Sequence, residues 1–388
     1  MIKRIKKQII DSNLINFLSI FIYINWIFRI KENRILFSNF FGKGYGDSPK
    51  YIAEALLKDK INKYDIIWVC KNNNESLPKG IKTVKKYSIK YFYYIATSKF
   101  WIFNTRTEIY FRKRKNQIYI QSWHGSLAFK RIEFDVEDKL DKRYIRHAFL
   151  DTKYTNLMLS NSEFCNQMYK RAFKYDGKIQ MYGIPRNDVL VKKNKDIKNK
   201  VFNTFNISRD NKIILYAPTF RKEYKKNPYD IDFEKILNKI NKESEQKWQL
   251  IIRLHPGIKE TNKLISKYDN YINGNNYDDV QELIYACDLL ITDYSSMMFE
   301  AMLADKPVII YANDIDEYNS DRGSYFKFED LPFPLAQNNK ELLELIEEIK
   351  IQKITKKYNA FKEKLEINET GDASKMVKEY IDSCILKR

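Results

Sequence analysis

The chain has 388 residues, 44% hydrophobic and 15% aromatic, with 69 Lys and Arg against 50 Asp and Glu for a net charge of +19. That is enough apolar material for two sizeable cores, and it excludes a disordered or fibrous chain. Four scattered cysteines (Cys70, Cys165, Cys287, Cys384) form no Cys-x-x-Cys pair, so a reduced, cytoplasmic setting is expected rather than a disulfide framework. The charge is lopsided. Residues 1–190 carry 36 basic and 17 acidic side chains, whereas residues 191–388 carry 33 of each. The first half therefore suits an anionic partner, either nucleic acid or acidic lipid.

Lys3, Arg4, Lys6 and Lys7 precede an apolar run over residues 14–30, which Arg29, Lys31 and Arg34 close. No small-residue cleavage site follows it, so a secretory signal peptide is not expected. Three readings stay open: a helix lying at a membrane interface, a buried core helix, or a short span.

From residue 35 short apolar runs alternate with amphipathic segments, the pattern of stacked βα units. Strands are predicted at 34–40, 66–70, 100–103, 118–121, 157–160 and 179–182, with helices at 88–98 and 162–173. Gly42-Lys43-Gly44-Tyr45-Gly46 reads as a turn, with Asp47 or Ser48 capping the next helix and Pro49 in its first turn. Its glycines do not have dinucleotide-binding spacing. A polar, Lys/Asn-rich stretch at 192–200 is the predicted linker. A second series follows, with strands at 212–217, 250–254, 271–272, 289–292 and 308–311 and closing helices at 341–350 and after 373. Two open α/β domains facing a cleft are expected.

His124 lies in Gln121-Ser122-Trp123-His124-Gly125-Ser126, directly after a predicted strand and ahead of Lys130-Arg131. The carboxyl end of a strand in such a domain faces the ligand crevice, where a histidine serves as general base; a purely structural histidine is the alternative. His255 and Arg253, in Arg253-Leu254-His255-Pro256, point to one face of a strand end and could hold a phosphate. Asp293-Tyr294-Ser295-Ser296 precedes a helix whose free N–H groups favour phosphate, and Glu300 one turn on could accept from ribose hydroxyls. Simple capping is the alternative there. Three scattered histidines and no cysteine cluster exclude a zinc enzyme, and no phosphate-binding Gly-x-x-x-x-Gly-Lys-Ser/Thr loop or kinase signature occurs.

These motifs stand in a fixed order with Ala217-Pro218-Thr219-Phe220-Arg221 and Asp321-Arg322-Gly323-Ser324-Tyr325-Phe326. Over about residues 35–335 the set resembles the CDP-glycerol glycerophosphotransferase family, which includes teichoic acid primases and polymerases. The resemblance implies an α/β, GT-B architecture of two Rossmann-like domains facing a central cleft. Residues 1–34 would be a membrane-associating segment, 35–190 the acceptor domain, and 201–388 the donor domain with closing C-terminal helices. It also implies transfer of an alditol phosphate from a CDP-alditol to a lipid-linked acceptor, peripherally at the cytoplasmic membrane face.

Carried over by position, His124 resembles the catalytic base and Asp135 its acidic partner. His255 and Arg253 resemble the donor phosphate clamp, Thr219, Ser295, Ser296, Glu300 and Arg322 the donor site, and Lys130 and Arg131 acceptor or phosphate contacts. No cofactor is required by these residues, and a divalent metal stays an open option. The Ser126-Leu127-Ala128-Phe129 stretch departs from the family's usual Thr-Pro-Leu, which bears on the acceptor. A ribitol donor, a GT-B glycosyltransferase using a nucleotide sugar, and a nucleic-acid-binding module are the competing readings; no nucleic-acid-binding motif supports the last.

Overall fold

The computed structural model describes residue 14 and residues 17–59, 63–71, 77–125, 127–192, 194–221, 227–255, 258, 270–319, 323–348 and 351–386. Among them, strands β1 (Lys31–Ser38), β2 (Asp65–Cys70), β3 (Ile81–Lys85), β4 (Ser98–Phe103), β5 (Ile118–Gln121), β6 (Leu157–Leu159) and β7 (Lys178–Gln180) form one seven-stranded sheet. Its order is β3-β2-β1-β4-β5-β6-β7, parallel throughout, with Leu36 of β1 opposite Ile67 on one side and Trp101 on the other. Helices α1 (Asp47–Leu57), α2 (Ile89–Thr97), α3 (Lys142–Tyr154) and α4 (Glu163–Ala172) connect these strands.

The second sheet runs β10-β9-β8-β11-β12-β13, also parallel. Its strands are β8 (Lys212–Ala217), β9 (Trp248–Ile252), β10 (Tyr271–Asn273), β11 (Leu289–Thr292), β12 (Val308–Tyr311) and β13 (Leu335–Ala336). Between the sheets comes α5 (Lys195–Thr204); α6 (Phe233–Glu243), α7 (Val280–Ala286) and α8 (Met297–Leu303) connect the second set. Helices α9 (Asn339–Glu348), α10 (Ile351–Lys364) and α11 (Ala373–Leu386) close the chain.

Both sheets are covered on two faces, and alternate residues of each strand serve opposite cores, as period two requires. In β1, Ile35 and Phe37 join one core and Leu36 the other. In β8, Ile214 and Tyr216 pack beneath α6, whereas Ile213 and Leu215 join a cluster that crosses to Trp123, Phe129, Tyr169 and Phe173 of the first half. This shared cluster holds the two domains together.

Several expectations need adjusting. The 192–200 stretch is largely helix: Asn194 caps α5 by accepting from the Asp196 N–H (3.0 Å), and Val201 and Phe202 bury its far end. Its apolar residues gather at that end, which hid the periodicity. The sequence pattern does not mark β3 and β13, because one is an edge strand rich in Lys and the other has two residues. The last helix does not close the second domain. Val377 and Ile381 of α11 are fully buried beside Ile35 and Ile66, on the first sheet. Asp47 does not cap α1: Gly46 occupies that position, and Asp47 takes a left-handed backbone (φ 58°) with its carboxylate turned inward.

The amino-terminal apolar run is helical over residues 17–24. Ile22 is fully buried, Ser19 donates to the Tyr110 carbonyl (3.0 Å) and Phe21 stacks on Phe92, so one face belongs to the first domain. The opposite face leaves Phe17, Ile20, Tyr23, Ile24, Ile27 and Phe28 exposed. No helix among the described residues is long and apolar enough to cross a membrane.

Candidate active site

β5, an interior strand, delivers His124 just beyond the carboxyl end of the first sheet. The loop after it is fixed from both sides. Trp123 takes a left-handed backbone (φ 54°), its N–H donates to the Gln121 side chain (2.9 Å), and Ser122 donates to the Phe103 carbonyl (3.2 Å). His124 is half-buried between the rings of Trp123 and Phe40. Its Nδ1 lies 2.8 Å from the Asn104 carbonyl oxygen, which can only accept, so Nδ1 carries the proton and Nε2 keeps its lone pair. Burial lowers the imidazole pKa below its ordinary value. The Asn104 bond and the carboxylates of Asp47 and Glu133 oppose that shift, and Arg186 reinforces it. The ring is therefore neutral at pH 7.

Gly125 brings the second domain into range: a Cβ there would stand 3.5 Å from Ser296 Oγ. Ser296 opens α8, and the Ser295 hydroxyl accepts from the Met297 N–H (3.3 Å). His255 follows β9, with its ring stacked on Phe220. Its pKa is lowered by burial and by the charge of Lys130 from the other domain, against an opposing pull from Asp293. Lys130 in turn pairs in a short antiparallel bridge with Ser324. Around it Tyr325 N–H donates to the Phe129 carbonyl (2.8 Å) and Arg131 N–H to the Gly323 carbonyl (3.2 Å), so residues 129–131 clasp 323–325 across the cleft.

Thr219 is held by its backbone N–H on the Asp293 carboxylate (2.9 and 3.0 Å). Arg221 sits beneath, ion-paired to Asp293 (2.9 Å) and Asp314 (2.7 Å) and bonded to the Thr219 hydroxyl, which makes the loop after β8 and the loop after β11 one unit.

Three expected site residues do other work. Arg253 turns its guanidinium onto the carbonyls of Gly274 and Tyr277, fixing the turn after β10. Asp135 makes no contact with His124; it accepts two bonds from Arg171 (2.8 and 3.0 Å) and one from Tyr325 (2.6 Å). Burial alone would raise its pKa, but those bonds hold it below the usual carboxylate range. Glu300 is fully buried, ion-paired to Arg186 and accepting from Gln281 (2.9 Å), so its carboxylate is committed away from any ribose. Arg322 lies outside the described residues. Among these residues no group of three or more His, Cys, Asp or Glu is placed to hold a metal ion.

The sequence reading missed the charges buried between the domains. Arg186, 4% exposed, binds Asp47 of the first domain (2.6 Å) and Glu300 of the second. Lys50 of α1 binds Asp279 and Glu282 at the start of α7 (both 2.7 Å). The Ile184–Asp188 stretch also gathers the returning chain. Glu369 accepts from Asn161, Asn187 and the Ile184 N–H, and Asp188 accepts from the Ala373 and Ser374 N–H groups. A Gly-Ile-Pro-Arg-Asn-Asp run at a domain boundary was the available signal.

The family model described as CDP-Glycerol:Poly(glycerophosphate) glycerophosphotransferase matches residues 20–383. The chain belongs to that family. A teichoic acid poly(glycerol phosphate) polymerase of Bacillus spizizenii is 30% identical over 382 residues, covering 95% of this chain and 96% of that one. The corresponding polymerase of Staphylococcus epidermidis is 33% identical over 372 residues, 91% of this chain but 51% of its own length, so the chain spans about half of that relative. The solved structure of the wall teichoic acid polymerase TagF superposes with a TM-score of 0.83 at 28% identity, over 99% of this chain and 98% of that one. A Staphylococcus aureus MnaA–UDP structure, 14% identical with a TM-score of 0.52, shares the two-domain fold over 90% of this chain and 96% of its own. The architecture is GT-B.

Proposed function

We propose that the chain transfers glycerol phosphate from CDP-glycerol to a hydroxyl of a lipid-linked acceptor in the synthesis of teichoic acid or a related surface polymer, releasing CMP. The observation that carries this reading is the His124–Asn104 bond, which leaves Nε2 ready to take a proton, in a family whose description is that reaction. His124 Nε2 removes the acceptor's hydroxyl proton. The oxygen attacks the phosphorus that bears the glycerol, and the bond from that phosphorus to the bridging oxygen breaks. CMP leaves with the electron pair. His255 and Lys130, one from each domain, meet the charge that builds there, and the hydroxyls of Thr219, Ser295 and Ser296 hold the donor's phosphates. This is positioning plus electrostatics, the usual demand of phosphoryl transfer.

A ribitol donor is the second reading, favoured by the 28% identity to a teichoic acid poly(ribitol-phosphate) polymerase of Bacillus spizizenii over 86% of this chain. We place the protein peripherally on the cytoplasmic membrane face. The exposed apolar face of residues 17–28 supports this, as do the exposed Lys142, Arg143 and Arg146 of α3, since such surfaces suit acidic lipid. Product analysis with CDP-glycerol and CDP-ribitol, on lipid-linked acceptors of several lengths, tests the assignment. Chain growth with glycerol phosphate and CMP release is expected; activity only with a nucleotide sugar would overturn it.

A further inference from the structure

Arg186 stands where the chain leaves the first domain, and its two terminal nitrogens grip carboxylates on opposite sides of the cleft. Asp47, on the first-domain side, follows the turn after β1, where its other oxygen accepts from the Ser48 N–H (2.6 Å). Glu300, on the second-domain side, belongs to the helix that Ser296 opens, and its other oxygen is taken by Gln281. All three side chains are 5% exposed or less. The bridge therefore operates in a low-dielectric setting, where a planar fork fixes both distance and direction. Glu300 lies in the helix that Ser296 opens, and the Asp47 carboxylate lies within electrostatic reach of His124.

We infer that Arg186 is a positioning residue, which sets the register between His124–Gly125 and Ser295–Ser296 by holding Asp47 and Glu300 together. This rests on the reading of His124 as the base. The groups that face His124 are the Asn104 carbonyl, the Phe40 and Trp123 rings, the carboxylates of Asp47 and Glu133, and Arg186 itself. Asp47 and Arg186 act on the imidazole with opposite sign: Asp47 favours its protonated form and Arg186 its neutral form.

The chain has three histidines, so histidine-selective NMR can follow the His124 titration in the full-length protein. Arg186→Gln should move its midpoint up and Asp47→Asn should move it down. Arg186→Lys keeps the charge but loses the fork, and should leave the midpoint near wild type. Glu300→Gln cuts only the second-domain arm and should leave it unmoved. In steady-state turnover of CDP-glycerol, Arg186→Gln, Asp47→Asn and Glu300→Gln should each lose kcat, on the order of 100-fold for a misplaced reacting group, with a smaller change in KM. Arg186→Lys should recover part of that loss.

A bridge with only a structural role would lower the melting temperature and the active fraction but leave kcat per folded molecule in place. An undiminished kcat per folded molecule in Arg186→Gln, Asp47→Asn and Glu300→Gln would overturn the inference. If Arg186→Gln does not fold, Asp47→Asn and Arg186→Lys carry the decision. A wild-type protein that does not turn over CDP-glycerol would sink the proposed function and the inference with it, whereas wild-type turnover that persists undiminished in the folded variants would sink the inference alone.

Discussion

The Nδ1 of His124 donates to the backbone carbonyl of Asn104 at 2.8 Å, and that bond sets the tautomer on which the proposed chemistry depends. Asn104 is itself pinned: its side chain donates to Asn39 (2.8 Å) and accepts from the Phe40 N–H (2.9 Å). The carbonyl that orients the base is thus anchored to the loop after β1. Because the base must be neutral to act, and burial lowers its pKa, kcat/KM should hold through neutral pH and fall only as the solution is acidified below about 6.5. His124→Ala should lose turnover on the order of 100- to 10,000-fold while CMP still binds. A pH–rate profile and calorimetry check both; near-normal CMP release by the variant would refute the base assignment.

Gly125 offers a graded test of how closely the domains approach. At 3.5 Å from Ser296 Oγ, the extra methyl of Gly125→Ala makes an ordinary van der Waals contact, so activity should stay within a few-fold of wild type. Gly125→Leu fills the space between His124 and Ser296, and should lose turnover on the order of 100-fold with an unchanged melting temperature. Equal activity of the two variants would mean that the two surfaces do not work together.

Lys50 is a second link between the domains, buried with Asp279 and Glu282. Burial would lower its pKa, but the two carboxylates prevail and raise it, so it is charged throughout the physiological range. Lys50→Met leaves those carboxylates without their buried partner, and should cost about 3–5 kcal/mol of stability. Denaturant melts should show that loss, whereas a change within experimental error would mean that Lys200, which also reaches Glu282, suffices.

Glu369 ties the returning chain to Ile184 and Asn187, and burial pushes its pKa up to about 8, against the hydrogen bonds it accepts. A carboxyl with a raised folded-state pKa binds its proton more tightly when folded. Its contribution is therefore complete below the unfolded value near 4.5 and is lost as pH rises through about 8. The wild-type melting temperature should decline between pH 5 and pH 9 more steeply than that of Glu369→Gln, which has no proton to lose. Parallel declines would argue against a protonated Glu369.

Most of the sheet framework was legible because buried parallel strands are written as uninterrupted apolar runs, such as Ile66–Ile67–Trp68–Val69 and Leu289–Leu290–Ile291. The positions of His124 and His255 just beyond strand ends were legible for a different reason: each stands inside a compact motif. The partners of Glu300, Arg253 and Asp135 were not legible, because residue type and position place a side chain near a site without saying where its polar atoms are already committed. The Arg186 and Lys50 bridges were illegible. Their partners lie 114 to 232 positions away, and nothing local distinguishes a buried lysine from a solvated one.

The docking of α11 on the first sheet also bears on how this molecule comes into being. The core around Ile35 and Ile66 is complete only when Val377 and Ile381 arrive, and these are made after every strand of the second sheet. During synthesis the second sheet can assemble while an apolar surface of its elder neighbour still waits on the ribosome. Completion of the first domain therefore awaits the fourteen-residue helix α11 rather than following the usual order from the amino end.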